Sequence, residues 1–122
     1  MSYVKVFNVL LNKFLSELVT TFPEENKFRD MQRALKVIIR MNFKKPIKMF
    51  KKYSDEIRDK IINKEDSYFL QRDYSDVVKP SENNFSVIDK LKDYWKDLSV
   101  VNRDIIWDYL NKMLMVVDKV AS

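Results

Sequence analysis

The chain has 122 residues, of which 46% are apolar and 34% charged, carries a formal net charge of +5, and contains no Gly, no Cys and no His. That length suits one domain around a single core. Without Gly there is little scope for phosphate-cradling loops or two-residue hairpins, and without Cys or His there is no disulfide, ordinary zinc site, thiol nucleophile or Ser-His-Asp triad.

Val4, Phe7, Leu11, Phe14, Leu15, Leu18 and Phe22 recur at three- and four-residue steps, which predicts a first amphipathic helix closed by Pro23. Pro23 also opens a second helix, with Glu24 and Glu25 in its first turn and Phe28, Met31, Leu35, Ile38 and Ile39 along its apolar face. That helix should end near Met41 or Asn42. Pro46 is tolerated only in a first turn, so a third helix is predicted from about Lys45, burying Ile47, Phe50, Tyr53, Ile57 and Ile61.

From Asn63 to Asn84 the periodicity weakens and a long connection is predicted, pinned by Tyr68, Phe69, Leu70 and Tyr74, with a helical turn near residues 65–71. Ser86 can cap a fourth helix, Asp89 completing a weak capping box, with Ile88, Leu91, Trp95 and Leu98 facing inward. Ser99 can cap the last, whose stripe runs through Ile105, Ile106, Tyr109, Leu110, Met113, Leu114, Val117 and Val120, with Trp107 beside it. Trp95 and Trp107 read as core anchors. Lacking Gly, the helix ends should use left-handed Asn, with Asn42, Asn63 and Asn84 as candidates.

The fold class expected is therefore all-α, a single compact bundle of about five helices over residues 1–122, with one long loop between the third and fourth. No apolar run approaches the roughly twenty residues that span a bilayer. Lys5, Asn8, Asn12, Lys13 and Glu17 interrupt the N-terminal apolar residues and no small-residue cleavage site follows, so no signal peptide is expected and the chain should stay in the cytosol or nucleus.

Charge is distributed unevenly. Residues 27–52 hold ten Lys or Arg against the single acid Asp30. At about 100° per residue, Arg29, Arg33, Lys36 and Arg40 fall within an arc of roughly 60°, and Lys44, Lys45, Lys48, Lys51 and Lys52 within roughly 120°. If both helices turn their apolar faces inward, the stripes merge into a patch suited to phosphate backbones, anionic headgroups or an acidic protein. The alternative is an ordinary solvated face. Against it, the fourth and fifth helices balance Lys with Asp, and this region does not. Phe28, Phe50 and Tyr53 lie on apolar faces, leaving Phe43 as the aromatic residue exposed between the stripes, so nucleic-acid binding would be backbone-directed and salt-sensitive.

Chemistry has few parts to work with. Glu65, Asp66, Asp73 and Asp76 are carboxylates that a folded loop could gather around Mg²⁺, although solvated loop acids are the commoner reading and no catalytic, cofactor or metal residue is assigned. Met31, Met41, Met49, Met113 and Met115 fit either gap-filling in a helical core or an adaptable partner groove. Val37, Phe43 and Val116 are exposed apolar candidates that leave a homo-oligomer open.

The series Phe22-Pro23-Glu24, Asp73-Tyr74-Ser75-Asp76, Leu91-x-x-Tyr94-Trp95-x-x-Leu98 and Ile106-Trp107-x-Tyr109-Leu110 resembles small helical proteins of unknown function encoded by nucleocytoplasmic large DNA viruses, giant and algal viruses among them. The resemblance covers most of the chain. It implies action in the host cytoplasm at the viral factory, or in the virion, and carries over no catalytic residue. The expected function is a non-enzymatic interaction or structural protein contacting an acidic partner through residues 29–52. The alternative is a small nucleic-acid-binding protein using the same nine cations.

Overall fold

The computed structural model describes residues 2–70 and 86–121. Among them it forms α-helices α1 (Tyr3–Thr21), α2 (Asn26–Met41), α3 (Lys45–Ile62), α4 (Ser67–Leu70), α5 (Ser86–Tyr94) and α6 (Val100–Ala121), a 3-10 turn at Trp95–Asp97, and no strand. The all-α bundle expected from the sequence is the fold observed, and the helical turn expected near residues 65–71 is α4.

Each joint has a local cause. Ser2 caps α1, its side chain accepting from the Lys5 backbone N–H. After α1 the chain makes a turn with Pro23 in its second position, Glu25 N–H donating to Phe22 O at 3.0 Å. Proline's fixed φ suits that turn as well as a helix start. Consequently Glu24 and Glu25 precede α2 rather than forming its first turn, and the Glu25 carboxylate caps the helix through the Lys27 N–H. Between α2 and α3, Asn42 Oδ1 accepts from Lys44 N–H and Asn42 O from Lys45 N–H, a side-chain-stabilised turn that feeds Pro46 into the first turn of α3. Ser99 caps α6 by accepting from Asn102 N–H at 3.1 Å.

The C-caps differ from expectation. Asn42 is extended and Asn63 sits at φ −86°, so neither is left-handed. Among the described residues the left-handed one is Lys64, at φ 51°. Its N–H donates to Ile61 O and the Glu65 N–H to Lys60 O, the two bonds of a Schellman ending in which the position usually given to Gly is taken by Lys64. Asn84 lies outside the described residues, as do Tyr74, Asp73 and Asp76. The side chains of Ser86 and Asp89 do too, so the predicted cap of α5 falls outside as well.

Helix α1 is the hub. It packs on α6, on α2 and more lightly on α3, while α3 lies mainly on α6. The pairing directions follow from contacts. Gln32 donates to Ser16 Oγ while Asn8, two turns earlier on α1, donates to Phe43 O just past the end of α2, which runs α2 antiparallel to α1. Asn111 donates to Ile61 O, and Arg58 pairs with Asp118, which runs α6 antiparallel to α3. The core draws Phe7, Phe14 and Leu18 from α1, Phe28 from α2, Phe50 and Ile61 from α3, Ile88 and Leu91 from α5, and Leu110, Met113 and Val117 from α6. Full burial of each such side chain contributes about 1.5–3 kcal/mol.

The α6 stripe is broader than predicted. Trp107 is fully in the core, as expected of a core anchor though not of a residue beside the stripe, whereas Ile105 and Val120 are exposed. A helix that meets α1 on one side and α3 on the other buries a wide arc centred on Ile106, Leu110 and Met113. In α3, Ile57 leaves helical geometry at φ −122° and kinks the helix. One turn earlier the buried Ser54 hydroxyl donates to Lys51 O, a side-chain bond that competes with the helical ladder.

Candidate functional site

All nine predicted contact residues are exposed: Arg29, Arg33, Lys36 and Arg40 on α2, Lys44 at the corner, and Lys45, Lys48, Lys51 and Lys52 on the first two turns of α3. The faces opposite them do the packing, since Phe28 and Leu35 of α2 and Ile47 and Phe50 of α3 are buried. Phe43 is 44% exposed between the stripes, as the sequence suggests, with Lys44 Nζ 5.9 Å from its ring centre. Because α2 leans chiefly on α1 and α3 on α6, the stripes join through the corner itself, where Arg40, Lys44 and Lys45 lie close in sequence.

Among the described residues only Lys51 of the nine has an ion-pair partner, Asp55 at 2.9 Å. Both side chains are about half exposed, and such a pair is worth about 0.3–0.5 kcal/mol. The other eight are exposed and make no ion pair among the described residues, with Asp30 the one acid in their stretch of α2.

The fold adds two cations that the sequence reading missed. Asn8 Nδ2 donates to Phe43 O at 2.9 Å, and Phe7 meets Phe50 with ring centres 5.4 Å apart, so the start of α1 lies against the α2–α3 corner. Lys5 and Lys13, both exposed on α1, thereby join the same end of the molecule. Residues 1–16 and 31–54 together contain ten Lys or Arg and no Asp or Glu, a signal present in the sequence but split across two distant segments. Asp118 is the acid that α6 brings near this end. Arg58 holds it through two short bonds, 2.9 and 2.6 Å, and keeps its carboxyl below the usual carboxylate range.

Between α1 and the corner runs a groove of about 550 Å³, with Val9, Ile39 and Phe43 as its apolar lining and Lys5 and Lys13 among its walls. A second depression of about 390 Å³ continues along α1 over Val6 and Leu10 and shares Lys5, Val9 and Lys13. Val9 is 56% exposed. Asn8 also borders the groove and is itself buried; its Oδ1 has no hydrogen-bond partner among the described residues.

Of the carboxylates considered for a metal, Asp73 and Asp76 lie outside the described residues, and Asp66 does other work. Asp66 Oδ1 accepts from Trp107 Nε1 at 2.8 Å, and Oδ2 lies 3.5 Å from Arg103. Arg103 in turn donates to Trp95 O, and Phe69 stacks on Trp95 with ring centres 4.1 Å apart. Asp66 thus ties α4 to α6 through an aromatic cluster, while Glu65 is exposed. Among the described residues no group of carboxylates is placed to share a metal ion, and no helix is long and apolar enough to cross a membrane.

A polar junction at the other end of α2 fixes α5. Glu25 Oε1 accepts from Tyr94 Oη at 2.7 Å and from Lys90 Nζ at 2.8 Å. The Lys90 and Tyr94 hydrogen bonds pull the Glu25 carboxyl down to about 2, and the same contacts raise Lys90 and Tyr94.

No protein-family model, curated protein or solved structure matches the chain.

Proposed function

We propose that the protein is a non-enzymatic interaction protein that holds an acidic partner against the basic surface of α2, the corner and the first turns of α3. The supporting observation is the exposure of nine cations on this surface, eight of them without an ion-pair partner among the described residues, against the single acid Asp30 within residues 27–52. Such a field steers anionic partners and raises the association rate. The viral resemblance adds a setting to the proposal, the host cytoplasm at the viral factory or the virion.

The test is a titration of the intact protein with poly-glutamate and with a nucleic-acid duplex of matched charge, at about 50 and 200 mM salt. Poly-glutamate should bind at the lower salt and weaken at the higher. The charge-reversing combination Arg40→Glu, Lys44→Glu, Lys48→Glu should reduce affinity by about tenfold or more, chiefly through slower association. Tighter binding to the duplex would reassign the surface to phosphate backbones, and absence of binding to either probe at low salt would end the proposal.

A further inference from the structure

The basic surface is bordered by an apolar groove at the α2–α3 corner, and the two together define what fits. We infer that the groove between α1 and the α2–α3 corner is the seat for one amphipathic helix of a partner protein, apolar on the face it buries and carboxylate-bearing along its edges. The inference rests on the acidic-partner reading above and narrows it to a helix.

Three observations carry it. The floor is apolar and concave, formed by Val9, Ile39 and Phe43 in a groove of about 550 Å³. An unpaired apolar helix face of this kind is the seat used in helix-in-groove recognition, read through anchors at i, i+3 or i+4, and i+7. The length agrees, because Lys5 and Lys13 bracket two turns of α1, about 12 Å of helix axis, which matches three anchors. Finally, the rim has one sign. Lys5 and Lys13 line the groove on the α1 side, and exposed Lys36 and Arg40, outside that lining, lie one turn before Ile39 and one residue after it on α2.

That rim decides among occupants by charge complementarity. A second copy of this chain would bring lysine against lysine, which opposes a two-fold contact. A nucleic acid would gain phosphate contacts at the rim but would set Val9 and Ile39 against bases, with Phe43 alone offering a stacking face. A helix with glutamate or aspartate beside its apolar stripe satisfies floor and rim together.

The experiment uses the intact protein and four probes: a synthetic helical peptide with leucine on one face and glutamate elsewhere, a scramble of identical composition that breaks the face, poly-glutamate, and vesicles of mixed phosphatidylserine and phosphatidylcholine. The amphipathic peptide should bind at least about tenfold tighter than the scramble, with amide shifts centred on Val9, Ile39 and Phe43. The uncharged pair Val9→Asn, Phe43→Asn should erase that preference while leaving poly-glutamate binding unchanged. Thermal melts check folding, and Lys5→Ala, Lys13→Ala provides an independent variant that should weaken the amphipathic peptide. Equal binding of peptide and scramble, or a preference that survives Val9→Asn, Phe43→Asn, overturns the helix seat but leaves the acidic-partner reading standing. Failure of poly-glutamate to bind at low salt sinks that reading itself. Vesicle binding tighter than peptide binding and lost in Val9→Asn, Phe43→Asn would give the groove to lipid, and a dimer abolished by the same pair would give it to a second copy; either rejects the helix seat.

Discussion

Lys64 shows what a chain without glycine must do at a helix end. The Schellman bonds from Lys64 and Glu65 require a left-handed residue, and a side chain with Cβ adopts that region at a cost of about 1–2 kcal/mol. Its ammonium reaches Asp108 at 3.0 Å, but both side chains are largely exposed, and such a pair returns only about 0–1 kcal/mol. Lys64→Gly is therefore expected to raise stability by about 0.5–1 kcal/mol in urea unfolding, whereas Lys64→Ala should bring no gain because alanine meets the same steric penalty. Asp66 is the opposite case, a residue whose removal strands its partners. Asp66→Ala leaves the indole N–H of buried Trp107 unpaired and should cost about 1–3 kcal/mol, with Asp66→Asn, which keeps an acceptor, losing less. Both outcomes are read by denaturant midpoints at constant m.

Among the elements, α5 depends most visibly on a polar anchor. It reaches α2 through Tyr94 and Lys90 on Glu25, with Phe22 stacked near Tyr94 at 4.6 Å. Because the Glu25 carboxyl is pulled from 4.5 to about 2 on folding, its contribution is complete above about pH 4.5 and is lost as pH falls from there toward 2. Lys90 and Tyr94 are raised, so their contributions are present below their ordinary values of 10.5 and 10.0 and fade above them. Protection of α5 amides from hydrogen exchange, relative to their intrinsic rates at each pH, should accordingly fall in acid before that of α1 or α6, and Glu25→Gln should flatten the acid dependence. This junction was not legible beforehand, since Glu25 and Tyr94 are far apart in sequence and nothing local pairs them. Helix existence and most boundaries were legible, because Pro46 and Ser99 act within one turn of their positions. The αL residue was misplaced by one position, from Asn63 to Lys64: composition favoured Asn, but the helix-ending bonds to Ile61 O and Lys60 O put the left-handed position at Lys64. Trp107 was set beside the stripe for a related reason, as a period read along one helix does not reveal how many neighbours that helix has. Lys5 and Lys13 escaped notice as binding residues because only the α1–α2 pairing carries them to the corner.

On the scale of the whole molecule, α1 joins α2, α3 and α6, and its core residues should report global rather than local stability. Phe14, fully buried and 5.3 Å from the Tyr109 ring, links α1 to α6. Phe14→Ala is expected to cost about 3–5 kcal/mol, a large share of the roughly 5–15 kcal/mol typical of a domain, and to lower protection in α1, α2 and α6 together. The carboxylate-poor end also makes the molecule electrically lopsided. A protein of net charge +5 whose start of α1, end of α2 and start of α3 hold ten cations and no acid does not meet a charged matrix in random orientation. It should settle on a cation exchanger with that end inward and elute later than a protein of equal net charge spread evenly. The slope of log retention against log salt then counts the charges in contact, so replacing Arg40 and Lys44 should shallow the slope more than replacing two lysines on α6.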